Sequence, residues 1–278
     1  MSLSFTTKLK KQNSEILLNN LGLSQRYFIE VSYLGTHYNG FQVQPNAPTI
    51  QGSLQQVLKI LFRKEIQLTG SSRTDAGVHA LQNYFHFDTD LEFDTDKYGY
   101  SINALLPYDI AVKRIFKVAG SAHARFDAVY REYKYYISRH KDPFHFDTAY
   151  KYGHDLDISA LNKAAALLLQ YTDFTTFSKL NTQVYTNNCT ITLSEWSEED
   201  GILVYHVRSN RFLRGMVRAL VGTMLRVGRG IITVEDFKHI IESKDCAQAD
   251  FSTPAKGLFL VKVVYPQDYN IVVPATIS

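Results

Sequence analysis

The stretch Arg26-Tyr-Phe-Ile-Glu-Val-Ser-Tyr33, with Gln51-Gly-Ser-Leu-Gln-Gln-Val-Leu-Lys-Ile-Leu-Phe-Arg63 after it, decides the fold. The first piece is rich in aromatic and β-branched residues and reads as a strand. In the second, Leu54, Val57, Leu58 and Leu61 recur at i, i+3, i+4 and i+7, the period of a helix with one apolar face. Gly35, Gly40, Pro45 and Pro48 make 34–49 a loop between them. Working outward, 66–69 and 80–88 read as strands, 98–106 as a short helix stopped by Pro107, and 110–118 as a strand. The order is β-α-β-β-α-β.

The rest of the chain repeats it. Residues 132–138 read as a strand and 158–170 as an alanine- and leucine-rich helix, while 189–197 and 202–208 form a hairpin around Glu199-Asp-Gly201. Helices come next at 212–227 and 234–243, and a strand at 258–265. Two such units imply an α+β fold of two ferredoxin-like halves, each an antiparallel sheet with helices on one face, and a cleft between them. The expected division is an N-terminal extension, 1–25, then halves at 26–118 and 119–278. Sheets of this type offer an open face that RNA-recognition modules use for bases.

Bulk properties narrow the class. The 278 residues are 45% apolar, 21% charged and 13% aromatic, with a net charge of +3, as expected of a folded globular chain with a slight basic excess. Cys189 and Cys246 form no C-x-x-C pair, which argues against a disulfide framework or a cysteine zinc site. His79 and His86 lie seven apart without a local cysteine, so on the residues alone they are structural histidines rather than metal ligands. The longest apolar run, 164–169, is far short of the roughly 20 residues that span a bilayer. The apolar stretch after Lys8, Lys10 and Lys11 is broken by Asn19 and Asn20, unlike a signal peptide. A cytoplasmic protein without membrane association is expected.

Three segments carry chemistry. In Ser72-Arg-Thr-Asp-Ala-Gly-Val-His79, Asp75 and Gly77 are ordinary turn residues, but Arg73 stands two before Asp75, on the same side of an extended chain. A guanidinium there would keep the carboxylate ionised and oriented. Gly77 allows close approach of another backbone. From Arg208 to Val234 there are six arginines and no acid; on a helix Arg211, Arg214 and Arg218 share one face, opposite Phe212, Met216, Leu220, Thr223 and Val227. An all-cationic face suits a polyanion. In Ala124-Arg-Phe-Asp-Ala-Val-Tyr-Arg-Glu-Tyr-Lys-Tyr-Tyr136, alternation separates Tyr133 and Tyr135 from Lys134 and Tyr136. These read as sheet aromatics, though one facing a cleft could stack on an extruded base.

Together and in order, these segments resemble the tRNA pseudouridine synthase A family. Residues 73–80 match its R-T-D-A-G-V-H-A loop. Gly40-Phe-Gln-Val-Gln44 and Thr49-Ile-Gln-Gly-Ser-Leu54 are similar to its opening motifs, 124–135 to its A-R-F…R-x-Y-x-Y strand, 212–222 to its F-[LV]-x-x-M-V-R helix, and 257–265 to its closing strand. The resemblance implies Asp75 as the catalytic carboxylate with Arg73 beside it. It implies Arg218 as the arginine that pairs with the aspartate and Tyr133 as the ring that packs on the target base. Arg211, Arg214, Gln42 and His79 complete the expected substrate contacts. Ser72, Glu132, Arg211 and Gly215 depart from the family's common residues.

The resemblance further implies isomerisation of uridine to pseudouridine in the anticodon stem-loop of tRNA, by a homodimer, with no cofactor and no metal. Asp75 would act on the ribose, by addition to C1′ or by taking the 2′ proton. A hydrolytic glycosidase needs a second carboxylate, for which the three segments offer only Asp127 and Glu132. The competing reading is a non-catalytic tandem RNA-binding module.

Overall fold

The computed structural model describes residues 24–179 and 185–269; most of the expected extension, 1–23, lies outside them. The first half runs β1 (Gln25–Tyr33), α1 (Ile50–Phe62), β2 (Thr69–Gly70), β3 (His79–Thr89), α2 (Thr95–Leu105) and β4 (Ile110–Val118). The second runs β5 (Tyr130–Ser138), β6 (Tyr150–Lys151), α3 (Ile158–Leu167), β7 (Ile191–Glu199), β8 (Ile202–Ser209), α4 (Met216–Gly228), α5 (Val234–Ser243) and β9 (Leu258–Val264). Helix starts obey local chemistry. Thr49 caps α1 through the Gly52 N–H, Asp94 caps α2, and Thr233 with Asp236 forms a reciprocal capping box on α5.

The strands form a single sheet in the order β4-β1-β3-β9-β5-β8-β7, with β2 added to β3 and β6 to β5. Both ferredoxin-like orders are present, β4-β1-β3-β2 and β9-β5-β8-β7. The halves are nonetheless not two separate antiparallel sheets: β3 and β9 pair in parallel, through His79↔Phe259 and Ala80↔Leu260. The brevity of β2 explains the merger. It covers β3 only at Phe85 and His86, so the start of β3 would be left as an unpaired edge. Strand β9 fills it.

Register places Tyr33, Ala80, Leu260, Tyr133 and Val207 in one row across the seam. Directly paired residues share a face, so this row lies on the side packed by helices. There Phe87 meets Phe62 of α1 edge-on at 6.0 Å. At the other end, Asn162 of α3 both donates to and accepts from the backbone of Trp196. The opposite face of the first half is closed by 119–129 and 265–269: Tyr265 packs on Phe28 at 5.3 Å and donates to the Ala124 carbonyl at 2.6 Å. Under that cover Glu30 accepts from Tyr84, Arg114 and Gln82.

One expected helix is corrected. Residues 212–215 are a loop that ends in a turn at 214–215, and α4 starts only at Met216, because Gly215 stands at φ +74 as its N-cap. Nearly all of α4 is buried, including Val217, Ala219, Leu220, Val221, Met224 and Leu225. It is a core helix, not an amphipathic one with a cationic face. Arg211 and Arg214 belong to the loop before it, and of the three only Arg218 is helical.

Candidate active site

The loop between β2 and β3 is built from pinned residues on either side of Asp75. Fully buried Asn83 accepts from Ser71 Oγ at 2.8 Å and donates to both the Ser72 carbonyl and the Tyr33 hydroxyl at 3.0 Å. Tyr33 in turn shares a 2.8 Å hydrogen bond with Thr74 Oγ1. Thr74 also accepts at its carbonyl from the Phe41 N–H. The neighbours of Asp75 are therefore fixed through the core, while the carboxylate itself is half-exposed.

Two glycines let other segments close on this loop. Gly40, at φ +98, lies so near that an added Cβ would stand 3.0 Å from the Thr74 carbonyl oxygen and 3.3 Å from the Asp75 carbonyl carbon. Gly77, at φ +75, faces Ala255 of the second half, and a Cβ added to it would stand 3.3 Å from the Ala255 Cβ. What comes close to Gly77 from the second half is thus the Ala255 side chain.

Tyr133 stands in the same region from β5. Its ring meets Phe212 edge-on at 4.9 Å, and among the described residues its hydroxyl has no hydrogen-bond partner. Burial pushes its phenol well above the usual range; Tyr33 and the Asp75 charge push the same way, and Arg131 opposes them. The ring is held neutral, beside the carboxylate and within reach of its field.

The arginines depart from expectation. Arg73 is exposed and donates to Gln42 Oε1 at 3.1 Å, which brings two expected site residues together. Arg218 donates from Nε to the Thr253 carbonyl at 2.7 Å, and Thr253 Oγ1 donates back to the Arg218 carbonyl. Among the described residues, the arginines in ion pairs within 4 Å are Arg26, Arg114 and Arg208. Neither Arg73 nor Arg218 therefore pairs with Asp75 here; Arg218 instead anchors the strap that carries Ala255. Arg214 is exposed and Arg211 half-buried, both in the loop preceding α4.

His79 ties the loop to neighbouring backbone. It is fully buried, its Nδ1 accepts from the Gly35 N–H, and its Nε2 lies 3.0 Å from the Asp147 and Lys256 carbonyls. Paired with Phe259, it points to the sheet face opposite Tyr133. Expected among the substrate contacts, this histidine instead has both ring nitrogens engaged by main-chain groups. Among the described residues no group of three or more His, Cys, Asp or Glu is arranged to hold a metal, and no helix is long and apolar enough to cross a membrane.

The residues missed by sequence reasoning are Tyr33, Asn83, Arg125 and Arg131. The first two give no local signal, since their roles depend on register across β1 and β3. Arg131 does give one: it lies two before Tyr133, on the same strand face.

Comparison with known proteins shows the family to which the chain belongs. The family model described as tRNA pseudouridine synthase matches residues 29–127 and 164–266. A tRNA pseudouridine synthase A of Parabacteroides distasonis is 48% identical over 249 residues, 88% of this chain and 97% of that protein. One of Bacteroides fragilis is 49% identical over 246 residues, covering 88% and 98%, and one of Geobacillus sp. is 39% identical over 246 residues, covering 87% and 99%. With this match spanning both halves and the seam between them, the chain belongs to the tRNA pseudouridine synthase family.

Proposed function

We propose that this isomerase converts uridine to pseudouridine in the anticodon stem-loop of tRNA, with Asp75 as the carboxylate that acts on the ribose. The observation that carries the reading is a half-exposed carboxylate, gripped through its neighbours, beside a buried neutral phenol without a hydrogen-bond partner among the described residues. Catalysis of this kind rests on groups held in place before the substrate arrives.

The target uridine leaves its stack at a cost of roughly a few kcal/mol, which phosphate contacts from Arg211 and Arg214 offset. Asp75 then adds to C1′ or takes the 2′ proton, and the C1′–N1 bond breaks. The freed uracil turns over against Tyr133 and re-bonds through C5. The C5 hydrogen leaves as a proton, N1 ends protonated, and the carboxylate is regenerated. Tyr133 and Phe212 form an apolar wall that limits water at C1′.

The environment of the two other acids favours isomerisation over hydrolysis. Asp127 is engaged by Tyr269 and by the His123 N–H at 2.6 Å. Glu132, next to Tyr133 on its strand, points to the other face and holds His206 and Arg208 at 2.9 and 3.0 Å. Neither is free to activate a water opposite Asp75. The reading needs no cofactor or metal; a homodimer with one tRNA touching both subunits, in the cytoplasm, completes it.

Release of tritium from C5-labelled uridine in tRNA tests the reaction. Asp75→Asn should bind tRNA and release none. Binding without release by the unaltered protein would instead leave a tandem RNA-binding module, and full turnover in Asp75→Asn would remove Asp75 from the chemistry.

A further inference from the structure

Arg131 is a cation buried to 9% exposure whose hydrogen-bond partners are all main-chain carbonyls. Its Nη1 donates to Ala128 at 3.1 Å and Asn210 at 2.9 Å, and its Nη2 to Arg125 at 2.6 Å and Ser71 at 3.4 Å. A charge desolvated without a counter-charge is costly to hold, so the arrangement calls for a reason.

The four carbonyls supply one. They come from three separate segments, and each segment carries another arginine: Ser71 is two residues before Arg73, Asn210 directly precedes Arg211, and Arg125 is itself a partner. Their side chains are near enough to act on one another. The Arg125 guanidinium is held below its usual range by partial desolvation and by the charges of Arg73, Arg131 and Arg211. Among the described residues none of these four is in an ion pair within 4 Å. Solvated basic surfaces usually interleave acids. Three guanidinium groups gathered around one buried arginine suit an anion, and their planar forks match phosphate oxygens.

We propose that Arg131 is a positioning residue that assembles Arg73, Arg125 and Arg211 into a seat for the RNA phosphodiester next to the extruded uridine. This rests on the reading of Asp75 as the reactive carboxylate, because Arg131 lies two residues before Tyr133 on the same face of β5, which puts the seat beside that pocket. Arg131 itself stays buried and touches no RNA. Arg125 is the exposed arm of the seat, alongside Arg211, and neither composition nor periodicity singles it out.

The test is the salt dependence of binding of an unmodified tRNA transcript to the full chain, read beside tritium release. Each lost phosphate contact lowers the slope of log affinity against log salt by about 0.7–0.9. Arg125→Gln should lower the slope by about one such contact and raise KM more than it lowers kcat. Arg131→Met should lower the slope by more than one contact, because the other arms lose their common anchor. Arg131→Lys keeps the charge and should recover part of the slope. An unchanged slope in Arg125→Gln overturns the proposal, and so does an Arg131→Met protein that only melts earlier. If Arg131→Met fails to fold, Arg125→Gln still decides. Absence of tritium release from the unaltered protein sinks the isomerase reading instead, and the slopes report the seat separately.

Discussion

Replacing Gly40 with alanine presses a methyl group onto the backbone of the Asp75 loop, and the structure allows the effect to be sized. Two terms add. At φ +98 an L side chain is strained, at a cost of order 1–3 kcal/mol. The new Cβ would also stand 3.0 Å from the Thr74 carbonyl oxygen, 3.2 Å from the Ala76 nitrogen and 3.3 Å from the Asp75 carbonyl carbon, so the loop must give by a few tenths of an ångström. For a domain of this size about 1 kcal/mol moves Tm by roughly 2–4 °C, so the strain alone gives a fall of about 2–12 °C. A misplacement of about 1 Å can cost roughly 10²-fold in rate, so a few tenths should lower kcat by about 3- to 10-fold. Thermal unfolding and tritium release at saturating tRNA, both at a temperature where the variant is folded, separate the two effects. Gly99→Ala is the control: its added methyl meets nothing within 4 Å, and it lies inside a helix where alanine is favoured. Wild-type Tm and wild-type kcat in Gly40→Ala would refute the idea that this glycine grips the reactive loop.

Tyr133→Phe removes a hydroxyl that has no hydrogen-bond partner among the described residues, so stability should change by less than about 1 kcal/mol; urea unfolding reads this. If the phenol assists departure of the C5 proton, turnover should fall by about 10²–10⁴, and unchanged tritium release limits the residue to packing. Glu30→Gln leaves Arg114 and Tyr84 without their charged acceptor beneath the 265–269 cover and should cost about 1–3 kcal/mol in urea unfolding; a loss below about 0.5 kcal/mol would mean that water reaches the site. His86 is kept neutral down to about 4 by burial, aided by the charges of Arg26 and His123, against 6.5 in the unfolded chain. Between those values the unfolded chain binds the extra proton, so stability present above pH 6.5 is lost as pH falls, by up to about 1.4 kcal/mol per pH unit. His86→Asn, whose Oδ1 can accept the Ala124 N–H, should flatten the urea midpoint over that window, and an unaltered slope would assign the effect to other groups.

Much of the architecture is legible in the sequence because burial dictates period. The aromatic and β-branched run of 26–33 and the i, i+3, i+4, i+7 apolar stripe of 51–63 are direct imprints of a strand buried on both faces and of a helix lying on it. The merger of the sheets is not legible. It depends on β2 being too short to cover β3, and chain-local patterns do not encode which edge another strand will find. A helix over 212–215 is a misreading because a glycine in an arginine-rich, periodic stretch looks like a weak helical residue. Only its positive φ, in a backbone packed against the Lys179 side chain, marks it as a stop. In the site, Asp75 stands out through its neighbours in sequence. Tyr33 and Asn83 act across strands, where spacing along the chain says nothing, and Arg131 shows only in its place two residues before Tyr133.

The seam has a consequence for how the molecule comes into being. His79 is tied to the Lys256 carbonyl across 177 positions, and Gln82 accepts from the Val263 N–H across 181. Such distant pairings are slow to form, because chain entropy must be lost before the contacts reward it. On the ribosome, Asp75 emerges long before Ala255 and β9 exist. The first half can acquire its helices and inner strands early, yet its reactive loop stays unfinished until β9 arrives. Pulse-labelled hydrogen exchange during refolding should therefore show protection at His79 and Ala80 lagging behind that of β1 and β4. A chain wired in this way completes the Asp75 loop last, once β9 has been made.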